Sequence, residues 1–298
     1  MNVVQSEPRS LSALCTLLGY TRQAYYHTAK TLQKQSFQED LLIKEVLHHR
    51  KTQRNIGTRK LLPLIDVFMR DHNMLIGREA LFNVLRDNGL LIRKRKRIKP
   101  KTTDSSGWFH QYPNLIAGMI PDGPNQIWVS DITFISVKND NAFLSLITDL
   151  YSRKIVGYYL CRNLTAYGTI QALRMAMRNN PSHDNLIHHS DRGSQYRCEQ
   201  YRQILGNIRI SMTEKGDPRE NAVAERVNGI LKTELLEEKY DSFEEARTAV
   251  EVAIGIYNTQ RPHSSIDMLF PEKAHQMNGL IKQRWKNYYL LNKRRPNM

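Results

Sequence analysis

Cysteine is scarce in this chain. There are 3 in 298 residues, Cys15, Cys161 and Cys198, far apart and with no CxxC pair, which leaves neither a disulfide framework nor a zinc site to expect. Long hydrophobic runs are missing too: none approaches the roughly 18 apolar residues of a membrane span. The opening Met1–Ser10 lacks the basic-then-apolar pattern of a secretory leader, so a cytoplasmic protein with no membrane partner is expected. Acid is the minority charge, 29 Asp and Glu against 44 Lys and Arg, for a net charge of +15 and a pI near 9.7.

The excess of base is uneven. Residues 1–100 hold 19 Lys and Arg against 8 Asp and Glu, a net of +11, and the tail from Ile281 adds six more basic residues with no acid. Neutralising phosphates releases condensed counterions, so such asymmetry points to a polyanion, with nucleic acid foremost. A solvated basic surface has the same composition, and charge alone does not separate the two.

Residues 10–35 read as two short helices around a tight turn. Ser10 can cap the first, Gly19 breaks it, and Thr21 can cap the second, which opens with Arg22 and Gln23. That is the outline of a helix-turn-helix, and also of a plain helical hairpin. A second helical unit covers about 38–90, with apolar faces at Leu41, Leu42, Val46 and Leu47, at Leu61, Leu62, Ile65 and Phe68, and along Ile76–Arg86 to a stop at Gly89. Arg78 is among its basic residues. Arg93-Lys94-Arg95-Lys96-Arg97 then begins a basic linker, readable as a solvated connector and as a phosphate-tracking arm at once. The expected divisions are a helical DNA-binding region over 1–92, a linker over 93–122, an α/β core over 123–278 and a basic tail over 279–298.

From Asn125 the pattern turns strand-like. Gln126–Ile135, Ala142–Thr148 and Lys154–Leu160 are candidate strands, with a hairpin turn at Asn139–Asn141 and a short connection at Tyr151–Arg153. Ala166–Arg178 then reads as a helix, Asn185–His189 as a strand, Tyr196–Leu205 as a helix and Ile208–Met212 as a strand. Three hairpin-linked strands followed by alternating helix and strand imply a mixed sheet with flanking helices.

Three acids stand out on this scaffold. Asp191 sits where the apolar run Leu186–His189 ends, at the carboxyl end of a strand, where α/β folds present chemistry. Asp131 shares its strand face with Ile127, Val129, Thr133 and Ile135, a costly place for a carboxylate unless it is paired or metal-bound; an edge strand facing solvent is the dull alternative. For the third acid, Asp217-Pro218-Arg219-Glu220 is a helix-opening signature that accounts for Glu220 as a capping partner. Glu225 lies about 200° from Val223 around the helix, on a stripe with Asn221, Asn228, Gly229 and Lys232, and a solvated face would equally explain it. Together the three would suit two Mg²⁺ or Mn²⁺ ions acting at phosphorus.

These residues resemble a known family. Asp131 in WVSDIT, His189-Ser-Asp-Arg-Gly-Ser-Gln-Tyr196, Ser211-Met212, Gly216 with Glu220-Asn-Ala222 and Glu225, Leu231-Lys232 with Glu234, and Tyr257-Asn258 with Arg261-Pro262-His263 are similar to the DDE transposases of bacterial insertion sequences, specifically the second-frame OrfB product of the IS-three family, over nearly the whole chain. The resemblance implies a ribonuclease H-like core of retroviral-integrase type, with Asp131, Asp191 and Glu225 as catalytic metal ligands for two Mg²⁺ or Mn²⁺ ions. It implies cleavage at element ends to free 3′-OH groups, then their attack on another phosphodiester. Double-stranded DNA, as terminal inverted repeats and target, is the implied partner, bound by a homo-oligomer, with a first-frame protein or a frameshift fusion as a further partner. His189, Arg192, Lys215 and Lys232 become candidate phosphate contacts beside Arg22, Arg78 and Arg93–Arg97. Two departures stand out: the 33 residues between Asp191 and Glu225 are slightly fewer than the family's usual interval, and the N-terminal region lacks the paired His and Cys that would bind zinc. A nuclease on the same fold and a non-catalytic DNA-binding regulator are the competing readings.

Charge reversal across Arg93–Arg97 is expected to weaken DNA binding and to flatten the dependence of log Kd on log salt by about one for each phosphate no longer neutralised. A salt titration with an unchanged slope would remove this segment from the interface.

Overall fold

The computed structural model describes residues 10–92, 112–138, 140–180, 185–214 and 218–282. Arg93–Arg97, Asn139, Lys215, Asp217 and most of the basic tail lie outside the described residues. The chain divides into two compact units, Met1–His49 with Ile65–Leu91, and Arg50–Leu64 with Ile92–Met298. The stretch 50–64 therefore groups with the sheet, although sequence alone assigned it to the helical region.

In the first unit, α1 (Leu11–Leu17) opens with Ser10 Oγ accepting the Ala13 amide at 3.3 Å. It stops at Gly19, whose φ of +72° suits a residue with no Cβ. Thr21 Oγ1 then accepts the Ala24 amide at 3.0 Å. The helix it caps, α2, runs unbroken from Arg22 to Thr52 instead of stopping near residue 30. No glycine or proline interrupts Arg22–Thr52, so nothing there ends the hydrogen-bond ladder. α3 (Thr58–Asp71) and α4 (Arg78–Asp87) follow, α4 ending at Gly89 with φ +67°. Cys15, Leu42, Val46, Ile65, Met69, Met74, Leu81 and Leu85 are buried among the described residues of this unit.

The second unit holds a five-stranded sheet in the order β3-β2-β1-β4-β5. β1 (Ile127–Val137), β2 (Asp140–Asp149) and β3 (Ile155–Cys161) form an antiparallel meander, while β4 (Ile187–Ser190) and β5 (Arg209–Met212) run parallel to β1. This mixed sheet with helices on both faces is the ribonuclease H-like architecture. The expected helix over 196–205 is two pieces, α6 (Ser194–Arg197) and α7 (Glu199–Leu205), broken at Cys198, whose backbone is extended. α5 (Ala166–Asn179) and α7, through its Tyr201, pack with Trp128, Ile147 and Val156 on one face. On the other face lie α8 (Ala222–Ile230) and α9 (Phe243–Thr259), packing on Ile135, Leu144, Leu146 and Ile155.

Two long-range ties fix the sheet's outer strand. Asn258, late on α9, accepts the Ile155 amide at Oδ1 (2.9 Å) and donates from Nδ2 to the Ile155 carbonyl (3.0 Å), while Tyr257 OH donates to the Arg153 carbonyl at 3.0 Å. On the opposite face α5 approaches β3 so closely that a Cβ on Gly157 would lie 2.2 Å from the Ala172 carbonyl oxygen. Among the described residues no helix is long and apolar enough to cross a membrane.

Gly157→Ala should lower stability by about 1–3 kcal/mol, the usual cost of overpacking, seen as a reduced melting temperature by circular dichroism. An unchanged melt would mean that α5 moves off β3 at no cost.

Candidate active site

The site follows from strand register. β1 pairs with β4 in parallel with Val129 opposite His189. Two residues further on come Asp131, still on β1, and Asp191, one residue past the end of β4, so the two carboxylates come near each other where β4 ends, and the Asp191 charge acts on Asp131. Period-two alternation turns Asp131 to the face that α8 covers, where Ile127, Val129, Ile187 and Ala224 form a small apolar cluster. β1 is the central strand, so the edge-strand alternative for Asp131 does not hold.

Each aspartate is oriented by the chain. Asp131, half-buried, accepts its neighbour's amide, from Ile132, at Oδ1 (2.9 Å) and the Asn228 side-chain amide at Oδ2 (2.7 Å). Asp191 Oδ1 accepts the Gly193 amide at 3.0 Å, and a Cβ on Gly193 would meet that same oxygen at 3.0 Å. The electrostatics record their closeness. Burial and then the Asp191 charge push the Asp131 carboxyl up to about 7, against hydrogen bonds from Asn228 and Ile132 that favour the anion; Glu225 adds a smaller upward push. Asp191 is raised as well, chiefly by burial, with the Gly193 amide and Arg197 opposing. Two neighbouring carboxylates that resist sharing negative charge form an oxygen-donor pair suited to a hard divalent cation.

Glu225 stands in the first turn of α8 with its side chain exposed, and its charge is felt at Asp131. Among the described residues, no three His, Cys, Asp or Glu side chains already converge to hold a metal ion. The helix is nevertheless pinned to β1 on both sides of Glu225. Asn221 Nδ2 donates to the Ser130 carbonyl at 2.9 Å, and Asn228 holds Asp131. The Asn228 and Asn221 Oδ1 atoms are buried without a partner among the described residues. Glu220 is engaged elsewhere, its Oε2 accepting the Glu214 amide at 2.6 Å.

The other sequence candidates fall in different places. Lys232 reaches the same face: Nζ lies 3.4 Å from Thr133 Oγ1 and 3.4 Å from the Phe134 ring centroid. Arg192 directs Nε to the Thr213 carbonyl at 2.6 Å and Nη2 to the Glu214 carbonyl. His189 is wholly buried, its Nδ1 2.8 Å from Ser211 Oγ, and burial above all lowers it to about 4. It is a packed neutral imidazole here and offers no surface to a phosphate. Arg22 and Arg78 are exposed at the starts of α2 and α4, where a cation opposes the helix dipole; Arg78 pairs with Glu79 at 2.5 Å. Arg93–Arg97 and Lys215 lie outside the described residues.

Sequence reasoning placed Asn228 on Glu225's stripe without giving it a role. It also missed the support beneath Ser130. The Ser130 and Tyr201 hydroxyls lie 2.8 and 2.9 Å from His188 Nε2, and burial, followed by the His189 charge, takes His188 down to about 3. A neutral His188 thus anchors the strand residue preceding Asp131.

Two family models, each described as an integrase core domain, match residues 121–218 and 206–271. The insertion element IS600 uncharacterized 31 kDa protein of Shigella sonnei is 33% identical over 276 residues, covering 89% of this chain and 99% of that protein. Transposase InsF for insertion sequence IS3A of Escherichia coli (strain K12) is 27% identical over 277 residues, covering 90% of this chain and 95% of that protein. The HTLV-2 integrase catalytic core domain, solved in complex with magnesium, aligns with 53% of this chain and 100% of its own at 19% identity and a TM-score of 0.42.

A raised carboxyl binds its proton more tightly in the folded state, so Asp131 lowers stability fully above about pH 7 and not at all below about pH 4. Asp131→Asn should therefore stabilise the metal-free protein at pH 8 by about 1–2 kcal/mol, allowing for partial solvation, with the gain fading to nothing near pH 4. Melting curves across that range check this; a gain independent of pH would mean that the Asp131 carboxyl is not raised in the folded protein.

Proposed function

The chain belongs to the DDE transposases of the IS-three family of bacterial insertion sequences, and on that premise we propose that it cuts and joins DNA at element ends, with Asp131, Asp191 and Glu225 binding the divalent cations the reaction uses. The single observation that carries the reading is the nearness of Asp131, on β1, to Asp191, just past the end of the adjoining strand β4, with the Asp131 carboxyl pushed up to about 7 by burial and by its neighbour. A cation of high charge density relieves that repulsion, and carboxylate oxygens are the donors Mg²⁺ and Mn²⁺ prefer. Glu225 completes the set by side-chain rotation from the exposed rim of α8. When bound, two such ions lower the pKa of the attacking hydroxyl and stabilise the departing oxygen of an in-line displacement.

The chain's own residues supply the geometry. Asn228 and the Ile132 amide hold the Asp131 carboxylate in one orientation, and the Gly193 amide does so for Asp191. Lys232 brings a positive charge to the same face of β1, where phosphate oxygens of the cut strand would lie. Arg192, whose guanidinium is turned to the carbonyls after β5, braces the loop behind Asp191. The exposed Arg22 and Arg78 and the linker Arg93–Arg97 are placed by this reading on the duplex backbone, where cations give affinity and register more than sequence choice. The active form would be a homo-oligomer on paired element ends.

Asp191→Asn should reduce Mg²⁺-dependent cleavage and strand transfer of labelled element ends by at least about 10³-fold, with DNA affinity within about twofold of wild type. Binding and cleavage falling in parallel would point to a structural role instead. Hydrolysis without joining in the wild type would favour a nuclease on this fold.

A further inference from the structure

Beyond α8 the chain forms a rare element. The helix runs into a π-turn, Leu231–Leu235, with the Leu236 amide bonded to the Leu231 carbonyl at 2.8 Å. Such turns concentrate where function fixes a register. Here the turn separates two charged side chains: Lys232 reaches Thr133 on β1, whereas Glu234 enters a clasp on the other side.

That clasp is built from distant segments of the same compact unit. Arg261, 1% exposed, donates from Nε and Nη2 to the two Glu234 oxygens at 2.9 and 3.1 Å. Lys60 Nζ lies 2.6 Å from Glu234 Oε1. Asn55 donates its side-chain amide to the Thr233 carbonyl at 3.0 Å and its backbone amide to the Glu234 carbonyl at 3.3 Å. Carbonyls at a helix end lack partners of their own, and these two are met from residues about 180 positions earlier in the chain. Burial would raise the Glu234 carboxyl, but Arg261 and Lys60 outweigh it and hold it below its ordinary value. A buried charge cluster is a poor source of net stability, since desolvating the ions offsets their attraction; fixing register is its best-attested use.

We propose that Asn55 and Lys60, acting through Glu234, are positioning residues for the reaction, holding the π-turn and so the pitch of α8 that aims Glu225 and Lys232 at the two aspartates. The proposal rests on the reading of Asp131, Asp191 and Glu225 as the cation-binding set. Its physical link is rotation: side chains on a helix are spaced by about 100° per residue, so a turn that slips by one residue swings Glu225 off the face on which Asn228 meets Asp131. It follows that the catalytic core needs residues 50–64, which a boundary drawn at the linker would cut away.

The test uses the full chain with Mn²⁺ as the probe, its binding read by electron paramagnetic resonance and DNA cleavage assayed in parallel. The double variant Asn55→Ala/Lys60→Met should bind Mn²⁺ about tenfold more weakly, as removal of supporting contacts does at metal sites. Its kcat should fall by a similar factor with KM for DNA unchanged, and Lys60→Arg should stay close to wild type. A double variant with wild-type Mn²⁺ affinity and kcat overturns the proposal. Asp191→Asn separates the parent reading: if it binds Mn²⁺ as wild type does, the cation-binding set itself is wrong. Should the double variant not fold, hydrogen exchange on Asn55→Ala alone decides. Faster exchange of the amides of 225–236, with the sheet unchanged, supports the clasp, and unchanged protection there overturns it.

Discussion

Two like charges are set side by side because β1 and β4 are parallel neighbours. Val129 faces His189, and that register leads Asp131 on β1 and Asp191, the residue that follows β4, to neighbouring positions. A slip of one residue would turn Asp131 to the opposite face of the sheet. The buried residues around the pair keep that register: Trp128 and Ile147 on one side, Val129 and Ile187 on the other. The cost of the arrangement shows in Asp131, whose carboxyl is pushed up to about 7. A carboxyl so perturbed by burial and a like charge is a pattern that clusters at functional sites.

Much of the rest of the unit serves the same geometry. Asn221, the residue just before α8, and Asn228, two turns later on it, hold the helix against β1 on either side of Glu225. The π-turn then hands the chain to Glu234 and its clasp, and α9 returns to β3 through Tyr257 and Asn258. Below the sheet, His188 stays neutral because burial and the adjacent histidine disfavour its charged form, so the hydroxyls of Ser130 and Tyr201 meet an uncharged ring. These contacts link residues far apart in sequence, which makes the site a product of the whole unit.

How far the sequence revealed this depends on the range of each interaction. The meander, β4, β5 and α5 were legible because alternation and helical periodicity are local, and Asp131 and Asp191 stood out as acids on apolar strands. The length of α2 was hidden because much of Arg22–Phe37 is exposed and lacks an apolar stripe, so only the lack of breakers hinted at continuity. The break between α6 and α7 at Cys198 had no signal of its own. His189 could be read from sequence as a packed strand-end histidine or as a phosphate contact; its burial beside Ser211 from β5, a partner invisible to local pattern, decides for packing. Asn55, Lys60 and Glu234 are common surface residues, and nothing in their spacing announces that they meet. Arg261 and Asn258 stood out through family resemblance, but what they touch required coordinates.

The most direct measurement is anomalous diffraction from crystals of the DNA-bound chain soaked in Mn²⁺. The account requires metal density between the Asp131 and Asp191 carboxylates, with Glu225 swung inward to join it and Asn228 still on Asp131. Metal bound elsewhere, or held at the aspartates with Glu225 outward and Glu220 in its place, would contradict it.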